Sequence, residues 1–535
     1  MQPHPFKSKS QLWKIHGKWY DLKDYMKRHP GGEDILKQTQ GQGDVSALFE
    51  TYHAFAEIET LHEMISKFEV EKQQILKDES DEDSEQENES TQEESVQEED
   101  DSQADDDSDE FRISDSEEKV ISSLYFEKQF DILADSHIST PSVSELEEPE
   151  EPIPPISATG KWGEFDFASY RQLAKQIKEY FPDRVSAKAP LEWYFMVGYF
   201  AILFLYTFTN AMFASDTHLK SLIIFPLPLS WCSMEEQCII LRNGMTLLAS
   251  ISWISLGFNV MHDASHYAIT PYPSVNQYTT KIWNALNLWN SKIWFYHHIF
   301  HHHSFTGLAN RDPDISNYYP FAIKKQEDTY LESIWQWSYE SQPQIVPILL
   351  FAFPGISLGQ TISYIFAAFE RKIWHISLPD LKQIPEIYDP IDLLCVFATI
   401  ASFEMAIIKG HFMNLFLFLA VNNILYALNV IFDHDTFESI VMNDYGGKEW
   451  LKVQVQHSSN FLNKNIYWTR IFGSINYQIE HHLFPSMSSY HYPKIKPIVQ
   501  RFCIQNNIPY THHTTLLDAW ESFLKTLHFN KPIAY

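Results

Sequence analysis

Three stretches of the chain are dense in histidine, the side chain that most often binds metals through a neutral imidazole nitrogen. They are His262 with His266, the run from His297 to His303, and His481 with His482 just after Gln478. On a helix, residues three or four apart lie on one face. Each stretch can therefore present several ring nitrogens to one ion. We expect a metal site assembled from three distant segments.

The middle stretch allows two sets of ligands. One set is His298, His301 and His302, and the other is His298, His302 and His303. We favour the second set because Ser304-Phe-Thr-Gly and then Asp312-Pro-Asp314 come directly after it. Imidazole ligands suit iron, copper or zinc, so the ligand type alone does not decide which metal is bound.

Four apolar runs are long enough to cross a bilayer. We predict transmembrane helices at 191–214, 239–261, 391–408 and 412–432, and interfacial segments at 283–300 and 345–369. The histidine stretches must meet on one side of the membrane, so an even number of crossings separates the second stretch from the third. Four crossings satisfy this condition. The polar remainder after residue 432 would then form a cap that carries the histidines.

The amino-terminal residues 8–72 contain a second kind of histidine pair. His29 begins the sequence His-Pro-Gly-Gly, and His53 stands 24 residues later. Two imidazoles on one haem iron fill both axial positions, which permits electron transfer and leaves no place for oxygen. The segment resembles the cytochrome b5 domain, a small α+β fold. The resemblance implies haem b with His29 and His53 as axial ligands. Beside such an electron donor, the metal of the three histidine stretches is expected to be a redox metal, which excludes zinc.

Residues 73–158 are strongly acidic. Between Asp78 and Glu118 stand 22 Asp and Glu residues against one Arg, so this segment supplies most of the formal net charge of −30. Such a composition cannot bury enough apolar surface to fold, and we predict a disordered linker. No nucleic-acid partner is expected of this chain.

The histidine stretches, together with their surroundings, resemble the three boxes of membrane fatty acyl desaturases. Gln478-Ile-Glu-His-His482 is similar to the third box of the front-end branch, in which an amino-terminal cytochrome b5 domain is also typical. The resemblance implies two irons held in an all-α membrane domain at 159–535. The implied ligands are His262, His266, His298, His302, His303, His481 and His482, with Gln478 as a further candidate. For one more ligand the candidate is His434, and His457 is second to it.

Three other residues stand near these boxes. Asp263 and Glu480 are expected to orient the metal ligands without binding the metal themselves. Gly307 stands where the family usually has asparagine, and that departure puts the support behind the second box in question.

The resemblance implies oxygen-dependent insertion of a cis double bond into a long unsaturated acyl chain, carried as a membrane lipid or an acyl-CoA. The electrons would come from NADH through cytochrome b5 reductase and the chain's own haem. The expected location is the endoplasmic reticulum membrane, with the haem domain and the histidine boxes on the cytosolic side. The alternatives are a Δ8-type sphingolipid long-chain-base desaturase, an acyl hydroxylase, and an inactive membrane-anchored electron-transfer module.

Overall fold

The computed structural model describes most of the chain outside the acidic segment. The described residues are 8–71, 75, 165–223, 232–308, 311–316, 342–348, 355–370, 372–373, 376–377, 388–439 and 449–529. The chain divides into one unit of Met1–Ile75 with Gly160–Tyr535 and a second unit of Leu76–Thr159. The predicted linker, 73–158, lies outside the described residues apart from Ile75. All the described residues belong to the first unit.

The amino-terminal region is a small antiparallel sheet with short helices. The strands Trp13–Ile15, Lys18–Tyr20 and Glu69–Val70 pair in that order. His16 and Gly17 form the first turn with φ values of 48° and 73°, the conformation that tight two-residue hairpins require. The helices are Glu33–Thr39, Ser46–Tyr52 and Ile58–Ser66, with 3-10 turns at Lys9–Gln11 and Met26–Arg28.

Among the described residues, four helices are long and apolar enough to cross a membrane. They are Leu191–Phe213, Met234–Ser265, Pro390–Ile408 and Phe412–His434. The predicted class is confirmed: a small haem-type domain with strands precedes a largely helical domain with about four membrane-capable helices. The second helix starts earlier than predicted because Ser233 and Glu236 form a reciprocal capping box. Asp389 and Asp392 start the third helix in the same way.

Arg242 joins the first two of these helices. Its guanidinium is buried and donates to the carbonyl oxygens of Ala211 and Ala214 at 2.8 and 2.9 Å. It also donates to Oδ1 of Asp216 at 2.8 Å. Carbonyls at the end of a helix have no partner within that helix. The charge in this apolar run therefore caps the neighbouring helix.

The predicted interfacial segment 283–300 differs from the structure. It is divided between the helix Pro273–Leu286 and a helix that starts at Ser291. Leu288 has a φ of 62° in the connection, and the side chain of Asn290 caps the second helix. Trp289 and Trp294 are buried. In the predicted segment 345–369, residues 342–348 are helical and Gly355–Glu370 is a helix, but Pro354 lies outside the described residues.

The remaining elements complete the described part of the chain. The helices are Ala168–Lys178, Asp216–Leu222, Ser291–Phe305 with its π-helical centre, Trp450–Gln456, Ile466–Ile471, Gln478–Leu483, Tyr492–Gln505 and Leu516–Phe529. Short 3-10 turns occupy Pro313–Ser316 and Ser489–His491. The strand Asn460–Phe461 pairs in parallel with His512–His513, and Lys372–Ile373 pairs with Ile376–Ser377. Fully buried side chains such as Ile479, Leu483 and Phe484 hold the third histidine stretch in the core.

Candidate metal centre and haem site

Two of the three histidine stretches lie on π-helical turns, Gly257–His262 and Phe295–His302. A π-helix pairs residues i and i+5, and such turns are frequent at functional sites. Nε2 of His298 and Nε2 of His303, five residues apart, are accordingly 3.3 Å from each other. The sequence patterns suggested spacings of three and four. The wider turn explains why His298, His302 and His303 converge while the His301 ring packs near Phe300 and Phe305.

One group of imidazoles comes from all three stretches. His262, His266, His298 and His481 are buried, and each offers one ring nitrogen such that these atoms lie within 4.8 Å of one another. Nε2 of His262 is 3.1 Å from Nε2 of His298. The four rings therefore enclose a space of the size that a single ion occupies.

A second group adjoins the first. His302, His434 and His482 each offer a ring nitrogen within 4.8 Å of the other two. The amide nitrogen of Gln478 is 2.8 Å from Nε2 of His434 and 3.2 Å from Nε2 of His482. The two ends of an amide exchange by rotation. Gln478 can thus turn its oxygen, which has no hydrogen-bond partner among the described residues, toward this group.

His303 and His457 occupy different places relative to these groups. The His303 ring stacks on His482 at 4.3 Å and is 4.6 Å from the rings of both His266 and His481, so it lies between the groups. Within the described part of the chain, the His457 ring belongs to neither group. The residues expected to bind metal are thus brought together, and of the two further candidates only His434 joins them.

The electrostatics favour a bound cation. Burial, together with the neighbouring imidazoles, lowers the pKa of five histidines well below the usual value: His266, His298, His303, His481 and His482. Their rings are therefore neutral, as metal ligation requires. Nε2 of His266 and Nε2 of His481 have no hydrogen-bond partner among the described residues. Buried nitrogens of this kind normally have one, so the donor set fits a transition metal.

Several of the imidazole rings form a hydrogen bond through Nδ1, which leaves Nε2 available to bind a metal. Nδ1 of His302 donates to Oδ1 of Asp312 at 3.0 Å, and Nδ1 of His482 donates to Oε1 of Gln454 at 2.9 Å. Burial lowers the pKa of His302, but Asp312 and Asp314 outweigh it and raise that pKa to about 9. The carboxylates therefore favour positive charge at this ring.

Tyrosines hold two more rings. Nδ1 of His481 is 3.1 Å from the hydroxyl oxygen of Tyr492, and Nδ1 of His266 is 3.1 Å from that of Tyr52. Sequence reasoning missed Gln454, Tyr492 and Tyr52. Tyr52 and Gln454 are distant in sequence from the rings they hold, and no spacing or motif marks any of the three.

Asp263 and Glu480 form hydrogen bonds that connect the histidine stretches to neighbouring segments. Oδ2 of Asp263 accepts from the backbone N–H of Ser489 at 3.1 Å and from its hydroxyl at 3.0 Å. Glu480 accepts from the hydroxyl of Tyr510 at 2.6 Å and from the amide of Asn460 at 2.8 Å. Burial raises the pKa of Glu480 to about 7. Asp263 thus connects the first histidine stretch to the loop after the third.

Gly307 occupies the position after the second histidine stretch where desaturases of the resembled family usually have asparagine. Its φ is 75°, and a Cβ at this position would collide with the ring of His457. Its backbone N–H donates at 2.8 Å to Oδ2 of Asp312, the carboxylate that also accepts from His302. The backbone of Gly307 therefore supports His302 through Asp312, with the His457 ring filling the adjacent space.

His29 and His53 face each other across an apolar cavity of about 460 Å³. Their ring centroids are 6.1 Å apart, and Nδ1 of each donates to a backbone carbonyl, of Gly32 and Phe49 respectively. Burial lowers the pKa of His53 to about 4. Two neutral rings with their Nε2 atoms available fit a haem iron bound on both sides.

The small domain packs against the histidine groups. Arg171 Nε donates to both carboxylate oxygens of Glu50, at 3.1 and 3.2 Å. Arg184 donates to the carbonyl of Pro30 at 3.1 Å, and the hydroxyl of Ser486 donates to the carbonyl of Thr51 at 3.0 Å. The haem cavity is lined by both parts of the chain.

Comparison with known proteins agrees with this architecture. Residues 240–514 match the family model described as fatty acid desaturase, and residues 3–72 match that of the cytochrome b5-like haem/steroid binding domain. The chain belongs to the fatty acid desaturase family. Its amino-terminal part is a cytochrome b5-like domain fused to the desaturase domain.

Three relatives are similar over about half of this chain. An acyl-lipid (8-3)-desaturase of Mortierella alpina is 24% identical over 306 residues, 54% of this chain and 64% of the relative. A Delta(5) fatty acid desaturase A of Dictyostelium discoideum is 25% identical over 50% and 59%. An sn-1 linoleoyl-lipid 6-desaturase of Synechocystis sp. is 22% identical over 56% and 79%. The chain thus spans less than two thirds of the length of the first two.

Proposed function

We propose that this chain is an oxygen-dependent di-iron front-end desaturase that inserts a cis double bond into a long unsaturated acyl chain. The observation that carries the proposal is the meeting of eight histidines at the ends of apolar helices, seven in two adjacent groups and His303 between them. One of them, His266, contacts the domain that holds the haem-type histidine pair. Relatives named as acyl-lipid desaturases support a lipid-linked substrate.

The ligand assignment is based on the two groups. His262, His266, His298 and His481 bind one iron, and His302, His434 and His482 bind the other, with Gln478 completing the second site. His303 lies where it can serve either iron. Two such irons supply the oxygen chemistry that an unactivated methylene requires.

The chain's own residues orient the ligands and exclude water. Asp312, Gln454, Tyr492 and Tyr52 fix Nδ1 of four rings, so that the nitrogens facing the site need little reorganisation. All the ligand rings are buried except that of His434, which is partly exposed. The overall reaction balances because oxygen accepts four electrons in forming two waters. Two electrons leave the substrate, and two arrive one at a time through the haem of His29 and His53.

The proposed setting is the membrane of the endoplasmic reticulum. The haem domain and the histidine groups lie at the same end of the apolar helices, and they would face the cytosol. There an NADH-dependent cytochrome b5 reductase can reduce the haem.

The test is fatty-acid profiling of yeast that express the chain and are fed a panel of di- and tri-unsaturated acids. The expected result is a new acid with one more double bond, nearer the carboxyl end. His303→Gln should abolish the product and His301→Gln should retain it, because only His303 lies between the groups. A new long-chain base in the sphingolipid fraction, or a hydroxylated acid, would replace the proposed substrate or reaction. No lipid product from folded, haem-loaded protein would refute the proposal.

A further inference from the structure

One helix of the small domain connects the haem site to the metal site. The helix Ser46–Tyr52 ends immediately before His53, whose Nδ1 donates to the carbonyl of Phe49 at 2.7 Å. The hydroxyl oxygen of Tyr52, the residue bonded to His53, is 3.1 Å from Nδ1 of His266. A single side chain, one peptide bond and one hydrogen bond therefore join a haem-ligand position to a member of the first imidazole group.

This contact is held in place on both sides. Glu50 is buried and paired with Arg171, and the carbonyl of Thr51 accepts from Ser486. Ser486 stands four residues after the third histidine stretch. The end of the helix is thus fixed against the same segment that carries His481 and His482, so Tyr52 keeps its position relative to the imidazoles.

The hydrogen bond also has a defined direction when a metal is bound. A metal takes the lone pair of Nε2 of His266, which has no other partner among the described residues. The proton then resides on Nδ1, which donates to the hydroxyl oxygen of Tyr52. Tyr52 accepts this bond as a neutral phenol.

We propose that Tyr52 is the electron-transfer contact between the haem and the metal centre, along the path from His53 through Tyr52 to His266. This inference rests on the proposed function. In each transfer one electron leaves ferrous haem, which becomes ferric, and reduces the metal centre by one electron. Tyr52 keeps its proton and forms no new covalent bond. A flavoprotein reductase that uses NADH restores the ferrous haem.

Tyr170 provides a matched control. It is buried in the helix Ala168–Lys178, where its ring is 5.1 Å from that of Trp450. Its hydroxyl has no hydrogen-bond partner among the described residues, and Tyr170 does not line the haem cavity. A Tyr170→Phe variant therefore removes a buried tyrosine hydroxyl without touching the proposed path.

The experiment compares Tyr52→Phe and Tyr170→Phe in the full, haem- and iron-loaded chain. Reduced protein is mixed rapidly with oxygen and a polyunsaturated acyl substrate, and the haem absorbance reports reoxidation. Tyr52→Phe should slow substrate-dependent reoxidation roughly tenfold, the effect of a barrier raised on the scale of one hydrogen bond. Its haem spectrum and iron content should be unchanged, and Tyr170→Phe should behave as the parent.

A second measurement separates electron transfer from a merely structural role. The metal centre is reduced chemically, the excess reductant is removed, and product from a single turnover with oxygen is measured. Tyr52→Phe should then match the parent, because this turnover needs no electron from the haem. A slowed single turnover would show that Tyr52 only positions His266 and would overturn the inference.

Two further outcomes are distinguishable. Unchanged haem reoxidation in Tyr52→Phe, with the parent responding to substrate, would overturn the role of Tyr52 alone. Parent haem that does not respond to substrate and oxygen would refute the proposed function itself, and with it the inference.

Discussion

His457 holds His434 through its backbone: the carbonyl oxygen of His457 accepts a hydrogen bond from Nδ1 of His434 at 2.7 Å. The His457 ring points elsewhere, and its Nδ1 donates to the carbonyl of Val453 at 2.8 Å. Two histidines that the sequence offered as alternative ligands thus have complementary places. One presents its ring to the second group, and the other fixes that ring through its main chain.

This arrangement predicts different metal contents for two alanine variants. His434→Ala removes a ring nitrogen from a group of three and should lower bound iron from two equivalents toward one. His457→Ala retains the carbonyl that supports His434 and should keep both irons. Elemental analysis of purified protein measures the difference. Equal iron loss in both variants would contradict the assignment of His434.

The contact between Gly307 and the His457 ring predicts that substitutions of these two residues have non-additive effects on stability. Gly307→Ala places a Cβ at a positive φ, which costs about 1–2 kcal/mol, and against the His457 ring in addition. Gly307→Ala should therefore lower the thermal unfolding midpoint in detergent. Adding His457→Ala should reverse the share of the lost midpoint that the collision causes, and should leave the share that the positive φ causes. Strictly additive losses would show that the ring and the glycine do not interact.

Glu50 predicts how firmly the haem domain is held. Its buried carboxylate pairs with Arg171, whose side chain is 38% exposed, so the pair contributes less than a fully buried one. Glu50→Gln should cost about 2 kcal/mol of docking free energy, the scale of a hydrogen bond to a charged group. Hydrogen exchange of the helix Ser46–Tyr52 should increase accordingly. Glu57→Gln is the control, because Glu57 is exposed in its pair with Lys178 and such pairs contribute little. Equal exchange in the two variants would refute the role of Glu50.

His512 predicts part of the acid sensitivity of the cap. Burial, then the neighbouring charges led by Lys496, lower the pKa of His512 from its usual value to about 3. Between that value and the ordinary pKa near 6.5, the unfolded chain binds a proton that the folded chain does not. Stability should therefore fall as the pH decreases through this window.

Protonation of His512 should also affect the metal site. His512 pairs with Asn460, whose side-chain oxygen accepts from the N–H of Ile479 in the third histidine stretch. His512→Gln should reduce the loss in unfolding midpoint between pH 7.5 and pH 5, measured by thermal denaturation in detergent. The conservative His528→Gln, in the last helix, serves as the comparison. A parent-like pH dependence of His512→Gln would exclude His512 as the cause.

Short-range patterns predicted much of this molecule. The apolar runs indicated the four membrane-capable helices, and the His-Pro-Gly-Gly sequence with His53 indicated the haem-type domain. The histidine stretches named most of the rings that meet. These features could be predicted because hydropathy and local spacing determine them.

Other features depend on long-range packing. The π-helical turns change which residues share a face, so α-helical spacing alone could not choose between His301 and His303. The helix break at Leu288 depends on a positive φ at a residue that is not glycine, so the sequence gives no sign of it. The contact of Tyr52 with His266 joins residues 214 apart in sequence. Packing of the small domain against the histidine groups creates that contact, and no local pattern encodes it.

The docked helix Ser46–Tyr52 also determines which other proteins can approach. It covers the surface beside His266, so a free cytochrome b5 from a host cell cannot bind at that surface. Under the proposed function, electron delivery is then independent of how much free cytochrome the host contains. The enzyme should work equally well in cells rich or poor in that carrier, whereas an unfused desaturase must compete for it.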